Sequence, residues 1–357
     1  MWLIRTDILT AFENEEIKSS IPRYISAVKD KLPALFLLAS RFPVDRSSKT
    51  DELWTLHDEL MDSFWDFVDS FNNLELPPKP PYSLLDLKAD IANRILTSCE
   101  LCERRCLVDR TRGELGICRI GRSPRVSTYF IHMGEEAPIS PSGTIFFSSC
   151  NFRCVFCQNW DISQNPTSGQ IVNPAKLSNM FVSLRKEGAR NINLVGGEPT
   201  PNIPAILDAL KLTNINVPII WNSNMYLTPK AMKLLIGLID LWLPDFKYWN
   251  EEHALRLSGI PNYTKIVKRN LKMAYEARGE MVIRHLVLPN HVECCTKPIL
   301  RWISENLPNA LVNVMAQYRP EYRALRYQEI ARRPNSAEMK EAYKEAERSG
   351  LRWRSVS

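Results

Sequence analysis

From residue 143 onward, short apolar runs alternate with stretches of helical spacing. The runs are Thr144–Phe147, Asn191–Val195, Pro218–Trp221, Leu238–Leu243, Met281–Leu288 and Leu311–Ala316, each of strand length. Helix-like segments lie between and after them, near 174–187, 203–213, 229–237, 262–277, 297–306 and 337–349. Strands alternating with helices imply parallel βαβ units that cross over with one hand. Six units are too few for the closed eight-stranded barrel. The expected fold is therefore α/β, a partial (β/α)6 TIM-like barrel whose working face is the C-terminal end of its strands.

Upstream, residues 1–76 read as helical. Candidate helices run from Asp7 to Lys18, from about Arg23 to Phe42 with an interruption at Pro33, and from Leu53 to Asn73. The last carries Leu53, Leu56, Leu60, Phe64, Phe67 and Phe71 at three- and four-residue steps, with Trp54, Trp65 and Val68 widening the stripe. A face packed on the rest of the protein is the simplest account of it. The run from Leu76 to Tyr82 is a stiff Pro-rich linker, and a helix from about Ser83 to Thr97 follows. The expected division is an N-terminal helical region (1–80), a small four-cysteine metal-binding segment (90–125), a core barrel (140–325) and a C-terminal helical tail (326–357) that ends as a solvated helix.

Composition narrows the class. With 45% apolar and 24% charged residues, the 357-residue chain can bury a sizeable core. The net charge of +6 is spread along the chain, which argues against a nucleic-acid partner. No stretch approaches the roughly 20 apolar residues of a membrane span, and the N-terminus lacks the order of a signal peptide. A cytoplasmic address is expected. The nine cysteines fall at 99, 102, 106, 118, 150, 154, 157, 294 and 295. Tight clusters in a reducing compartment read as metal ligands rather than disulfides.

The central segment runs from Gly143 to Trp160, with Cys150, Cys154 and Cys157 spaced Cys-x3-Cys-x2-Cys directly after a strand. Thiolates are the ligands of iron–sulfur clusters, and three of them can hold three irons of a [4Fe–4S] cluster while leaving the fourth iron open. A zinc knuckle with a distant fourth ligand is the alternative. The spacing, with Phe156 just before the third cysteine, resembles the signature of the radical S-adenosylmethionine (SAM) superfamily. The resemblance implies a [4Fe–4S] cluster whose open iron takes the amino and carboxylate groups of SAM, reductive cleavage of SAM, and hydrogen abstraction by the 5′-deoxyadenosyl radical. It also implies that Phe156 lies against the adenine.

Further positions follow from the same reading. Gly196, Gly197 and Glu198 end the second strand and resemble the family's Gly-Gly-Glu motif, which binds the methionine amino group. Asn222, Ser223 and Asn224 follow the third strand, where the family places groups for the SAM ribose or carboxylate. Asp245, Lys247, Arg284 and His285 are charged or polar side chains in apolar strand surroundings, costly unless paired, so they should face a polar lumen. Asp245, Lys247 and Arg284 are candidate cofactor-binding residues, with structural ion pairs as the alternative. Tyr318 and Arg319 could reach the substrate mouth. Cys294 and Cys295 read as ordinary loop cysteines.

Cys99, Cys102, Cys106 and Cys118 place four thiols within twenty residues, among Arg104, Arg105, Arg110, Arg112 and Arg119. Four such cysteines can close a tetrahedral zinc site or hold an auxiliary cluster, with structural zinc favoured slightly. Together with the triad they resemble the pyruvate formate-lyase activating enzyme-like branch of the superfamily, over about residues 90–325. That branch implies a reductant such as ferredoxin or flavodoxin and a protein or peptide substrate, for which the N-terminal helices are a candidate docking surface. The upstream quartet departs from the simplest activators. A non-catalytic iron–sulfur electron-transfer or sensor protein is the competing reading, and a zinc-stabilised RNA-binding module a third.

Overall fold

The computed structural model describes residues 5–45 and 52–357. Among the described residues, eight strands are formed: β1 (Arg125–His132), β2 (Ser142–Phe147), β3 (Gln170–Ile171), β4 (Ile192–Gly196), β5 (Ile219–Ser223), β6 (Leu241–Pro244), β7 (Val282–Leu286) and β8 (Leu311–Met315). One sheet has the order β3-β1-β2-β4-β5-β6, and β7 pairs with β8 in a second. β2, β4, β5 and β6 run parallel, as do β7 and β8. Parallel bridges Trp242–Met281 and Asp245–Arg284 carry the same direction from β6 to β7. The fold is mixed α/β with a parallel sheet.

All six expected strands form, with shifted ends. Leu238 and Ile239 are buried in the turn before β6 rather than in the strand, because apolarity marks burial and not backbone pairing. β1 and β3 were not expected. β1 pairs antiparallel to β2 and to β3, and much of it faces solvent, with Tyr129 and Phe130 exposed. Helix starts are set locally: Asn173, Thr228 and Asn250 each accept a backbone N–H at the N-cap, and Pro174 and Pro229 occupy first turns.

Two expectations about the ends of the chain are corrected. The first candidate helix is broken at Asn14, which caps the helix Glu15–Ser20 by accepting from Ile17 N. Ala11, Ile17, Ile21, Tyr24 and Ile25 pack against Ile220, Leu241, Val282 and Leu311, beneath the N-terminal ends of β5–β8. The second candidate splits into Pro22–Val28 and Leu35–Ala39 around Pro33. The stripe on Leu53–Asp69 does face the core, burying Leu53, Phe64 and Val68. Nor is the tail simply solvated. Its helix Ser336–Arg348 buries Ala342, Glu345 and Ala346, Tyr343 stacks on Trp353 at 5.0 Å, and Arg352 bridges in parallel to Leu311. Among the described residues, no helix is long and apolar enough to cross a membrane.

Candidate active site

The chain leaves β2 through Ser149, in the left-handed region at φ +68°, and enters the cysteine loop. Each triad sulfur has a hydrogen-bond partner. Phe152 N donates to Cys150 Sγ at 3.3 Å and Ser258 Oγ to Cys154 Sγ at 3.0 Å, while Ser163 Oγ lies 3.1 Å from Cys157 Sγ. Burial raises all three thiols, with Cys154 pushed up to about 11; Glu198 further raises Cys150, and Cys157 raises Cys154. Ligation must therefore displace protons that burial holds in place. Such donors to ligand sulfur are one of the means by which a protein sets a cluster's potential.

Gly196 and Gly197 serve this loop directly. A Cβ on Gly196 would stand 2.2 Å from Phe147 N and O, and one on Gly197 would stand 1.8 Å from Ser149 O. Gly196 also has φ +112°, and Gly197 N donates to Phe147 O at 2.7 Å. The glycine pair thus lets the end of β4 lie flush against the root of the cysteine loop. Glu198 follows, fully buried. Its carboxylate accepts from Thr200 Oγ1 at 2.5 Å, Ser223 Oγ at 2.6 Å, Asn224 N at 3.0 Å and Thr200 N at 3.2 Å. Burial raises its pKa and these donors oppose the rise.

The triad cysteines and Phe156 border a cavity of about 1020 Å³ that also meets Gly196, Gly197 and Glu198. Asn222 and Ser223 reach it from β5, Asp245 and Lys247 from just past β6, and Arg284 from β7. The ring of Phe156 packs edge-on against Tyr318 at 5.8 Å and Tyr248 at 6.4 Å. Asp245 and Lys247 form an ion pair. Burial disfavours the Lys247 ammonium, but Asp245 and the Cys154 and Cys150 sulfurs hold its pKa above the usual value. Arg284 is engaged by Glu136, at 2.8 Å through Nε and 2.6 Å through Nη2, and by Glu135. Asn313 and Asn193 hold those glutamates in turn.

Several of these partners were not read from the sequence. Glu135 and Glu136 sit in the turn after β1, and nothing in their spacing marks them. Asn151 is the neighbour of Cys150, yet it becomes notable only when Asn224 Nδ2 is seen donating to its Oδ1 at 2.8 Å. His285 does not face the cavity as a titrating group. Its Nδ1 lies 2.7 Å from Phe246 O and its Nε2 2.9 Å from Thr296 Oγ1.

The upstream quartet lies apart from the cavity lining, against the outer side of the cysteine loop. Ser149 Oγ donates to Cys118 O, Arg153 Nη2 donates to Ile117 O, and Cys102 bridges to Leu227. Gly116 approaches Cys106 so closely that a Cβ would stand 2.7 Å from its sulfur. Burial pushes the Cys102 thiol up to about 12, and Cys118 and Cys99 add to the rise. Among the described residues, no three His, Cys, Asp or Glu side chains converge closely enough to grip a single metal ion. A cubane, with each cysteine on a different iron, asks for wider spacing.

Three thiols on one loop, each with a neutral hydrogen-bond partner and an open side toward a cavity that a buried carboxylate borders, fit a [4Fe–4S] cluster that keeps one iron free. Residues 144–303 match the Radical SAM superfamily. Over 338 residues the chain is 45% identical to the uncharacterized protein MJ0674 of Methanocaldococcus jannaschii, a match that covers 92% of this chain and 97% of that one. The chain belongs to the radical SAM superfamily, and with that family come a [4Fe–4S] cluster and SAM as cofactors. Solved structures similar to it include Streptococcus suis SuiB bound to SAM, at 12% identity and TM-score 0.43, covering 55% of this chain and 44% of SuiB. SuiB bound to the precursor peptide SuiA is similar at 12% identity and TM-score 0.47, covering 89% of this chain and 64% of that one. QueE from Escherichia coli is similar at 12% identity and TM-score 0.37, covering 65% and 92%. The chain thus spans less than two thirds of the SuiB chains.

Proposed function

We propose that this protein cleaves SAM reductively and abstracts a hydrogen atom from a protein or peptide substrate, as an activating-enzyme-like oxidoreductase of the pyruvate formate-lyase activating branch. The observation that carries the reading is that the three thiols of one loop and the Glu198 carboxylate border a single cavity at the C-terminal ends of parallel strands. We read the two sheets as one open (β/α)6 barrel joined through the β6–β7 bridges.

In this reading Cys150, Cys154 and Cys157 hold the cluster. Bound there and reduced, the cluster supplies the electron that splits the sulfonium of SAM and releases the hydrogen-abstracting radical. Glu198, fixed by Ser223, Thr200 and the Asn224 amide, presents a carboxylate to the methionine amino group. Asn222 and Ser223 stand beside it, and Phe156 forms an apolar wall held by Tyr318 and Tyr248. Asp245, Lys247 and Arg284 line the space beyond, where their pairing keeps the lumen polar without a bare charge. A cavity of about 1020 Å³ lies at the upper end of the roughly 300–1,000 Å³ typical of small-ligand sites, leaving room for a second reactant beside SAM.

We assign the upstream quartet as a second metal site. The electron donor is taken to be a ferredoxin or flavodoxin, and the address the cytoplasm. The nine free cysteines support a reducing compartment. In the test, the anaerobically reconstituted, dithionite-reduced protein is incubated with SAM. The expected products are 5′-deoxyadenosine and methionine, with formation abolished in Cys154→Ala. Product formation undiminished in that variant would refute the proposal.

A further inference from the structure

The charges that line the cavity nearly cancel, and the surplus falls on one turn. Among the described residues, each cation of the lining has a carboxylate of its own. Arg5 pairs with Asp7, Lys247 with Asp245, Arg354 with Glu347 at 2.9 Å, and Arg284 with Glu136 through both Nε and Nη2. Two lining carboxylates are left over, Glu198 and Glu135. Glu198 accepts from neutral donors and is the group proposed above for the methionine amino group of SAM. Glu135 shares Arg284 Nη2 with Glu136, so two buried negative charges divide one positive charge. His132 does not make up the difference. Its Nδ1 lies 3.7 Å from Glu135 Oε1 but accepts from Gly134 N at 3.2 Å, so that nitrogen carries no proton. A carboxylate taken out of water with half a counter-charge is unfavourable until a ligand brings the rest.

A second atom asks for the same partner. Asn193 is wholly buried on β4, two residues before Val195, so the two share one face of the strand, and Val195 lines the cavity. Its Nδ2 donates to Glu135 Oε1 at 3.0 Å, and a carboxylate only accepts, which fixes the end of the amide that is oxygen. That oxygen, Oδ1, is a buried acceptor with no hydrogen-bond partner. Leaving it bare is costly. Glu135 and Asn193 are thus acceptors side by side, and a cation with several N–H donors and no acceptor serves both. The turn that carries Glu135 is held in place. Arg5 Nη1 donates to Met133 O at 2.7 Å and to Glu135 O at 2.8 Å, and Arg190 Nη1 donates to Ala137 O at 3.3 Å. The acceptors are set before any ligand arrives, which lowers the cost of binding one.

We infer that Glu135, with Asn193 beside it, is a subsite for a basic side chain, lysyl or arginyl, of the peptide substrate. This rests on the proposed function and deepens it by naming the chemical class of the substrate. Glu135 is a specificity-determining residue in this account. Glu136 occupies Arg284, and that leaves Glu135 its surplus charge. A neutral side chain of the same length would leave the surplus unmet, and an acidic one would add to it.

The test uses the full chain, reconstituted anaerobically, with four small probes and calorimetric titration. The Nα-acetyl methylamides of lysine and arginine carry the cation, and those of norleucine and citrulline match them in length without it. The expected result is that each cation binds about tenfold tighter than its neutral counterpart. Glu135→Gln is expected to abolish that difference while the norleucine probe binds as before, which separates lost recognition from a collapsed cavity. Saturating SAM should leave the preference in place. Equal binding within both probe pairs, a preference that survives Glu135→Gln, or displacement of the lysine and arginine probes by SAM would overturn the inference. The last result would show that the sulfonium is the cation these acceptors serve. If Glu135→Gln does not fold, the wild-type probe pairs and the SAM titration still decide. Absence of SAM cleavage beside an intact preference would instead strike the function proposed for the triad, so the two failures are distinguishable.

Discussion

Gly197 shows how little freedom single positions have at this site. Any side chain there would meet the Ser149 carbonyl, 1.8 Å from an added Cβ. Gly197→Ala is expected to push the cysteine loop off the end of β4, lowering iron content and SAM affinity together, as iron analysis and equilibrium binding would report. His285 gives a pH signature. Burial lowers its pKa to about 4, against the accepting Phe246 carbonyl, which resists the shift. The unfolded chain, with a histidine near 6.5, takes up the proton first, so stability present above pH 6.5 is lost as pH falls toward 4. The full loss is about 3 kcal/mol for this group. His57, lowered to about 3 by burial and by Lys88, works in the same direction. Denaturant melts between pH 7 and 4 should show a falling midpoint, and His285→Asn should flatten that dependence. At this scale the triad was legible because its chemistry is local, three thiols within eight positions. The partners of Arg284 and the contact between Asn151 and Asn224 were not, since they are made by segments far apart in sequence.

Among elements, strand existence followed from burial on both faces, which writes a continuous apolar run into each parallel strand. β1 escaped notice because it lies toward the edge of the sheet with exposed aromatics and no clean alternation. One helix junction was invisible for a different reason. Lys88, wholly buried on the helix Leu84–Ile95, donates to Lys233 O at 2.7 Å and Ile236 O at 3.0 Å, at the end of the helix Pro229–Leu235. It also meets His57 Nε2 at 2.7 Å, tying in the helix Leu53–Asp69. A cation at a helix C-terminus complements the orphan carbonyls there. Lys88→Met removes the donor and leaves those acceptors buried, and should cost about 3 kcal/mol in chemical denaturation. A loss under about 0.5 kcal/mol would show that the junction does not depend on this contact.

For the whole molecule, the sequence displayed apolar faces without saying what would cover them. The N-terminal residues illustrate this. Nothing in Ala11, Ile17, Ile21, Tyr24 and Ile25 says what covers them, and what covers them is the underside of the chain's own strands. Ile21→Ala at this seam is expected to cost about 2–4 kcal/mol, read as a lowered unfolding midpoint. The tail behaves likewise, since Ser357 Oγ accepts from Val314 N at 2.8 Å and returns the chain end to β8. The fold class was readable because parallel strands and crossover helices leave a rhythm. The closure of both ends was not, because burial pattern carries no address.

The central claim is that the triad leaves one iron free for SAM. Electron–nuclear double resonance on the reduced protein, with SAM carrying ¹⁵N in its amino group, tests it most directly. The account predicts a resolved coupling between that nitrogen and the cluster, weakened in Glu198→Gln. A cluster with no coupling to the labelled nitrogen at saturating SAM, every iron being capped by protein groups, would contradict it.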